Sequence, residues 1–167
     1  MPNTFARLDV KITTWLARNG MTLLRFSLGI VFFWFGILKL FPNFSPAEGL
    51  ASRNIEALTF GVVKPALSLP VLAVWEMLIG AGLITGRFMR ATLALLLLQM
   101  LGTLAPLVLF PGETWNVVPF SPTLEGQYII KNLVLMSAGL VIGATVRGGA
   151  VVADPGVAQE AVQEEEQ

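Results

Sequence analysis

From Leu23 to Pro42 (LLRFSLGIVFFWFGILKLFP) the chain is an almost unbroken apolar run with one cation near each end, Arg25 and Lys39. A helix needs about 20 apolar residues to cross roughly 30 Å of hydrocarbon, so this run is long enough to span a bilayer. Gly29 and Gly36 stand seven apart, on one helical face where a second helix can come close, and Phe32, Phe33, Trp34 and Phe35 crowd the middle. Three further runs of this kind follow, and the four spans are expected at about 21–41, 66–86, 90–110 and 127–146. The second contains an acid, Glu76, the third Gln99 and a late Pro106, and the fourth Lys131 near its start. Gly82 and Gly86, and the Gly139-x-x-x-Gly143 pair, offer further packing faces.

The connecting segments have patterns of their own. Residues 3–19 place Phe5, Leu8, Ile12 and Trp15 or Leu16 at spacings of three and four, with Arg7, Lys11 and Arg18 elsewhere on the turn. This predicts an amphipathic helix over residues 1–20 lying in the headgroup region, with Asn19-Gly20 as the break before the first span. Ser45-Pro46-Ala47-Glu48 has the capping-box form and predicts a short helix over 46–58, held against the bundle mouth by Leu50, Ile55 and Leu58. The connection from Pro111 to Gly126, with Trp115, Pro119, Pro122 and no cation, reads as a structured interfacial loop. Beyond Arg147, residues 148–167 form an acidic tail with Asp154, Glu160, Glu164, Glu165 and Glu166.

Composition agrees with the pattern and narrows the chemistry. The 167 residues are 54% hydrophobic and 13% charged, with no net charge, and the mean hydropathy is +0.71. A soluble domain carries roughly 25% charged residues, so the chain reads as an all-α integral membrane four-helix bundle with an N-terminal interfacial helix. Nucleic acid is not an expected partner; membrane lipids are. There is no Cys and no His, which removes thiol redox chemistry, thiolate-held iron–sulfur clusters, imidazole-held haem and a Ser-His-Asp triad. No catalytic residue and no metal site is expected, and the chain is not expected to act as an enzyme alone. The N-terminus lacks a short apolar run followed by a cleavage site, so the first span is expected to serve as an uncleaved insertion signal.

Sorting the eleven cations by side gives an orientation. Arg7, Lys11, Arg18, Arg25, Arg87, Arg90 and Arg147 share one side, and Lys39, Arg53, Lys64 and Lys131 the other. The excess of cations on the cytoplasmic side of membrane proteins then places both termini, and the acidic tail, in the cytoplasm. Arg25 is expected to snorkel to the inner headgroups. Lys39, Glu76 and Lys131 fall within about 10 Å of one another in depth at roughly 1.5 Å per residue, all toward the outer side. An ionisable group at such depth costs about 2.5–3.5 kcal/mol and seeks a partner, so Glu76 is expected to face inward and pair with Lys131 first and Lys39 second. One reading of the cluster is a structural ion pair that fixes helix register. The other is the polar end of an aromatic-walled crevice for a quinone or a lipid headgroup, lined by Lys39, Glu76, Lys131, Asn132, Phe33 and Trp34.

The spans LLRFSLGIVFFWFGILKLF, VWEMLIGAGLITGRFMRATL and YIIKNLVLMSAGLVIG resemble successive helices of the DoxX-like family of small four-helix bacterial membrane proteins, over about Met21 to Arg147. The nearest likeness is to the reactive-chlorine-resistance branch, whose G-x-x-K-F ending is seen in looser form as Gly36-Ile37-Leu38-Lys39-Leu40-Phe41. The resemblance implies a bacterial inner-membrane bundle serving as subunit or accessory of membrane oxidoreductase systems. The family-like positions are Lys39, Glu76, Arg87, Lys131 and Asn132, and the absence of Cys puts a thiol relay in doubt. Two functions follow: a non-catalytic subunit docked to other membrane-protein subunits, or a quinone-binding component in which Lys131 or Lys39 holds a quinone oxygen and Glu76 passes the proton. A transporter ranks third, because four spans without a visible inverted repeat leave little to alternate.

Overall fold

The computed structural model describes residues 4–41, 44, 45, 48–154 and 156, with side chains from Leu8 onward. Its elements are α1 (Thr4–Leu38), α2 (Glu48–Leu58), α3 (Pro65–Thr85), α4 (Met89–Leu104), α5 (Pro106–Leu109), α6 (Pro111–Thr114), β1 (Trp115–Val117), β2 (Ser121–Pro122) and α7 (Leu124–Ala144). Four helical stretches are long and apolar enough to cross a membrane: 8–38, 65–85, 89–109 and 124–144. The chain is an all-α membrane bundle.

α1 corrects one expectation. It runs unbroken through Asn19-Gly20 for 35 residues, about 52 Å at 1.5 Å per residue and well beyond the hydrocarbon thickness. The interfacial segment and the first span are one helix. The side chain of Phe5 and the tail residues Glu160, Glu164, Glu165 and Glu166 lie outside the described residues, as does Pro46 of the capping box. Of that box the described half is present: the Ser45 N–H donates to Glu48 Oε1 at 3.0 Å.

Local sequence explains most helix ends. Pro65 opens α3 at its first position after Lys64, and Gly86 closes it at φ 70°, a left-handed conformation that costs glycine little. The Thr123 hydroxyl caps α7 by accepting from the Gly126 N–H. Pro106 interrupts the third span between α4 and α5, because it has no N–H to continue the ladder. The loop after α6 is built around buried Thr114, whose hydroxyl donates to the Phe110 carbonyl at 3.0 Å, and the Trp115 indole N–H reaches the Leu107 carbonyl at 3.0 Å.

The helices pack antiparallel along seams of small residues. The closest is α1 on α3. A Cβ placed on Gly29 would lie 2.8 Å from Ile84 Cγ1, one on Gly36 2.9 Å from the Ala73 carbonyl, and one on Gly80 2.6 Å from Phe33 Cβ. Each step up α1 is therefore a step down α3. Gly82 gives its space to the side chain of Thr92 on α4, and Gly139 to Leu96, which a Cβ would approach to 2.9 Å. At Gly143 the same test gives 3.6 Å to Leu93, an ordinary contact. Leu28, Phe32, Ile79, Leu83, Leu93, Leu96, Met100 and Ile142 fill the centre. One mouth is covered by α2: Leu50 is buried there and Leu58 exposed, Asn54 Nδ2 donates to the Gly102 carbonyl at 3.0 Å, and the Ser52 and Ser68 hydroxyls meet at 3.1 Å.

The α1–α3 seam makes a quantitative demand. Gly80→Ala should force α1 away from α3 and lower stability by about 1–3 kcal/mol, the usual result of overpacking. Gly112→Ala, where nothing lies within 4 Å, should be neutral. Thermal unfolding in detergent reads both, and equal midpoints for the two variants would contradict the seam.

Candidate functional site

The register set by Gly36 decides what Lys39 meets. Three residues beyond that close approach, its ammonium reaches across to Glu76 on α3, with Nζ 2.6 Å from Oε2 and both side chains nearly buried. Glu76 presents its other oxygen to α4, where Gln99 Nε2 donates to Oε1 at 2.7 Å. Lys39 Nζ also lies 3.4 Å from the Phe35 carbonyl of its own helix. One carboxylate thus joins three helices, and both its oxygens are occupied from within the chain. Gln99 Oε1 is buried and has no partner among the described residues.

This geometry corrects the expected pairing. Lys131 does not approach Glu76; it is exposed on the outside of α7 with its ammonium 5.3 Å from the centre of the Tyr128 ring. Asn132 is half-buried, and among the described residues no hydrogen bond involves its side chain. Phe33 is 37% exposed and Trp34 63% exposed. Both rings are at the surface of the described bundle. Of the aromatic run only Phe32 enters the core. Gln99 was the partner that sequence reasoning missed. A polar residue within the third span was the signal for it, since at membrane depth it too must find a hydrogen bond inside the bundle.

The chain's other charges divide between the two ends. At the mouth covered by α2, Arg53 pairs with Glu113 and Lys39 with Glu76. At the opposite end, where the α3–α4 turn lies, Arg25, Arg87, Arg90 and Arg147 make no ion pair among the described residues. No group of three or more metal-ligating side chains occurs among the described residues either.

With an acid on the second of four apolar helices, tied to a lysine ending the first, a comparison with known families becomes decisive. The sequence profile of the DoxX family matches residues 20–110. The chain belongs to the DoxX family. The match takes in the first three spans, and with them Lys39, Glu76, Arg87 and Gln99; Lys131 and Asn132 lie beyond it. Neither a curated protein nor a solved structure matches the chain.

In this DoxX protein the three-helix tie should behave as a coupled unit. Glu76→Gln, which leaves the ammonium of Lys39 buried without its counter-ion, should cost about 3–5 kcal/mol, and Lys39→Met a similar amount. Combining the two substitutions should recover most of that loss, while Lys131→Met should leave stability unchanged. Unfolding midpoints of the four variants, compared as a double-mutant cycle, test the pairing; additive losses would refute it.

Proposed function

We propose that this DoxX-family protein is a non-catalytic accessory or structural subunit of a larger redox or energy-transducing complex in the bacterial inner membrane, with both termini in the cytoplasm. The observation that carries the reading is Lys131. It lies seven residues into α7, about 10 Å along the helix, on the outside of the span that the bundle covers least. Within an 18-residue apolar window of α7 only 11% of the residues are buried, against 33% in the corresponding windows of the second and third spans. An ammonium at that depth with no acid paired to it among the described residues favours a carboxylate on a neighbouring subunit. Glu76 supports the same view from the other side, because both its oxygens are engaged inside the chain. The unpaired arginines at the end bearing the α3–α4 turn support the orientation. The redox setting rests on the family resemblance, and the reactive-chlorine-resistance branch is proposed on the looser Gly36 to Phe41 pattern.

Native membranes solubilised in mild detergent should yield the chain in an assembly larger than its monomer or homodimer. Lys131→Glu should reduce the assembled fraction about tenfold, in line with the 1–2 kcal/mol typical of polar contacts between membrane helices. Recovery of free chain alone would end the proposal.

A second reading, a quinone-binding component, is favoured by one detail: the unpartnered Gln99 Oε1 beside Glu76. A quinol hydroxyl there would donate to that acceptor, with Lys39 and Glu76 next to it and Lys131 no longer part of the cluster. Titration of the purified protein with a short-chain quinol should then show saturable binding that Gln99→Leu removes. Absence of binding to the unmodified chain would dismiss this reading.

A further inference from the structure

At the end of the bundle away from the Glu76 tie, a cleft of about 640 Å³ opens between the start of α1's apolar span, the α3–α4 turn and the end of α7. Its volume falls within the roughly 300–1,000 Å³ of small-ligand sites. Arg25 and Arg90 line it together with Phe88, Met89, Ile142 and Val146, and among the described residues no acid does. Two like charges facing one cleft repel each other unless an anion lies between them.

Several features hold Arg25 at this place. A Cβ on Gly86 would run into its guanidinium, so the glycine that closes α3 also makes room for the arginine. Its Nε is buried and has no hydrogen-bond partner among the described residues. Arg90 enters from the first turn of α4, a 16-residue helix whose N-terminal residue, Phe88, supplies no side-chain cap and whose first turn contains no acid. The first three N–H groups of that helix have no acceptor among the described residues and lie beside two guanidinium groups. Planar guanidinium forks and free helix amides together match the oxygens of a phosphate.

We propose that this cleft binds a phosphate ester, the headgroup phosphate of a phospholipid, held between Arg25 and Arg90 with its glycerol and acyl portion along Met89, Ile142 and Val146. The inference is independent of the subunit reading, since it needs neither Lys131 nor a protein partner. The same chemistry would also admit free inorganic phosphate.

The test uses the purified, delipidated full-length protein and native mass spectrometry with phosphatidylglycerol, with diacylglycerol as the phosphate-free counterpart. One phosphatidylglycerol should be retained per chain and diacylglycerol not. Arg90→Gln should lower retention about tenfold, the worth of one charge-assisted hydrogen bond, and Arg25→Gln with Arg90→Gln further still. Arg90 is exposed, so its replacement leaves packing intact; Lys64→Gln, at the opposite end, should change nothing. Displacement of the lipid by millimolar inorganic phosphate would assign the site to phosphate from either source, and resistance to it would assign the lipid. Equal retention of diacylglycerol, or undiminished retention by the double variant, would overturn the proposal.

Discussion

A charge inside a bundle of apolar helices survives only if other groups of the chain replace the water it has lost, and Glu76 imposes that requirement here. Lys39 and Gln99 meet it from two different helices. The absence of side chains at Gly29, Gly36 and Gly80 brings the two backbones into direct contact, and the lysine then needs to cross only a narrow gap. Stability of the seam and satisfaction of the charge therefore depend on each other.

The two ends of the bundle treat charge differently. At the mouth beneath α2, Arg53 and Lys39 are neutralised by acids of the same chain, Lys64 and Lys131 form no ion pair among the described residues, and the Asn54 and Thr114 side chains donate to backbone carbonyls. At the other end no ion pair forms among the described residues: Gly86 and Phe88, at φ 70° and 52°, turn the chain sharply, and the arginines of that turn face outward or into the open cleft. Arginines without an acid partner at a bundle end are suited to the phosphates of lipid headgroups.

The sequence made some of this legible because the relevant rules act along the chain. Span length, proline at the start of a helix, glycine at its end and the Ser45–Glu48 pairing are local, and the spans expected at 66–86 and 127–146 differ from α3 and α7 by only a few residues. Depth was legible for Lys39 and Glu76, whose side chains meet. Direction around a helix was not. Ile129 is buried, and Lys131, two residues on, lies about 200° around the turn from it, which carries the ammonium outside. The break expected at Asn19-Gly20 failed for an energetic reason. One glycine within a helix costs about 1 kcal/mol relative to alanine, and the good helix formers on either side outweigh it.

Whether the Lys39–Glu76 pair adds net stability matters less than what it forbids. Along α1 the glycines repeat at seven residues, 29 and 36, and along α3 the small residues Ala73 and Gly80 repeat at the same interval. A steric seam of this period tolerates a slip of seven residues, about 10 Å, since small residues would again meet the opposing backbone. The charges do not tolerate it. Slipped one way, the lysine would stand opposite Leu83, buried in the core; slipped the other way, the carboxylate would stand opposite Phe32. Either shift leaves a charge unpaired in apolar surroundings at several kcal/mol, far more than the repeat of the seam could offset. Glycine sets how near the helices come, and the ion pair selects which of the sterically equivalent registers they adopt.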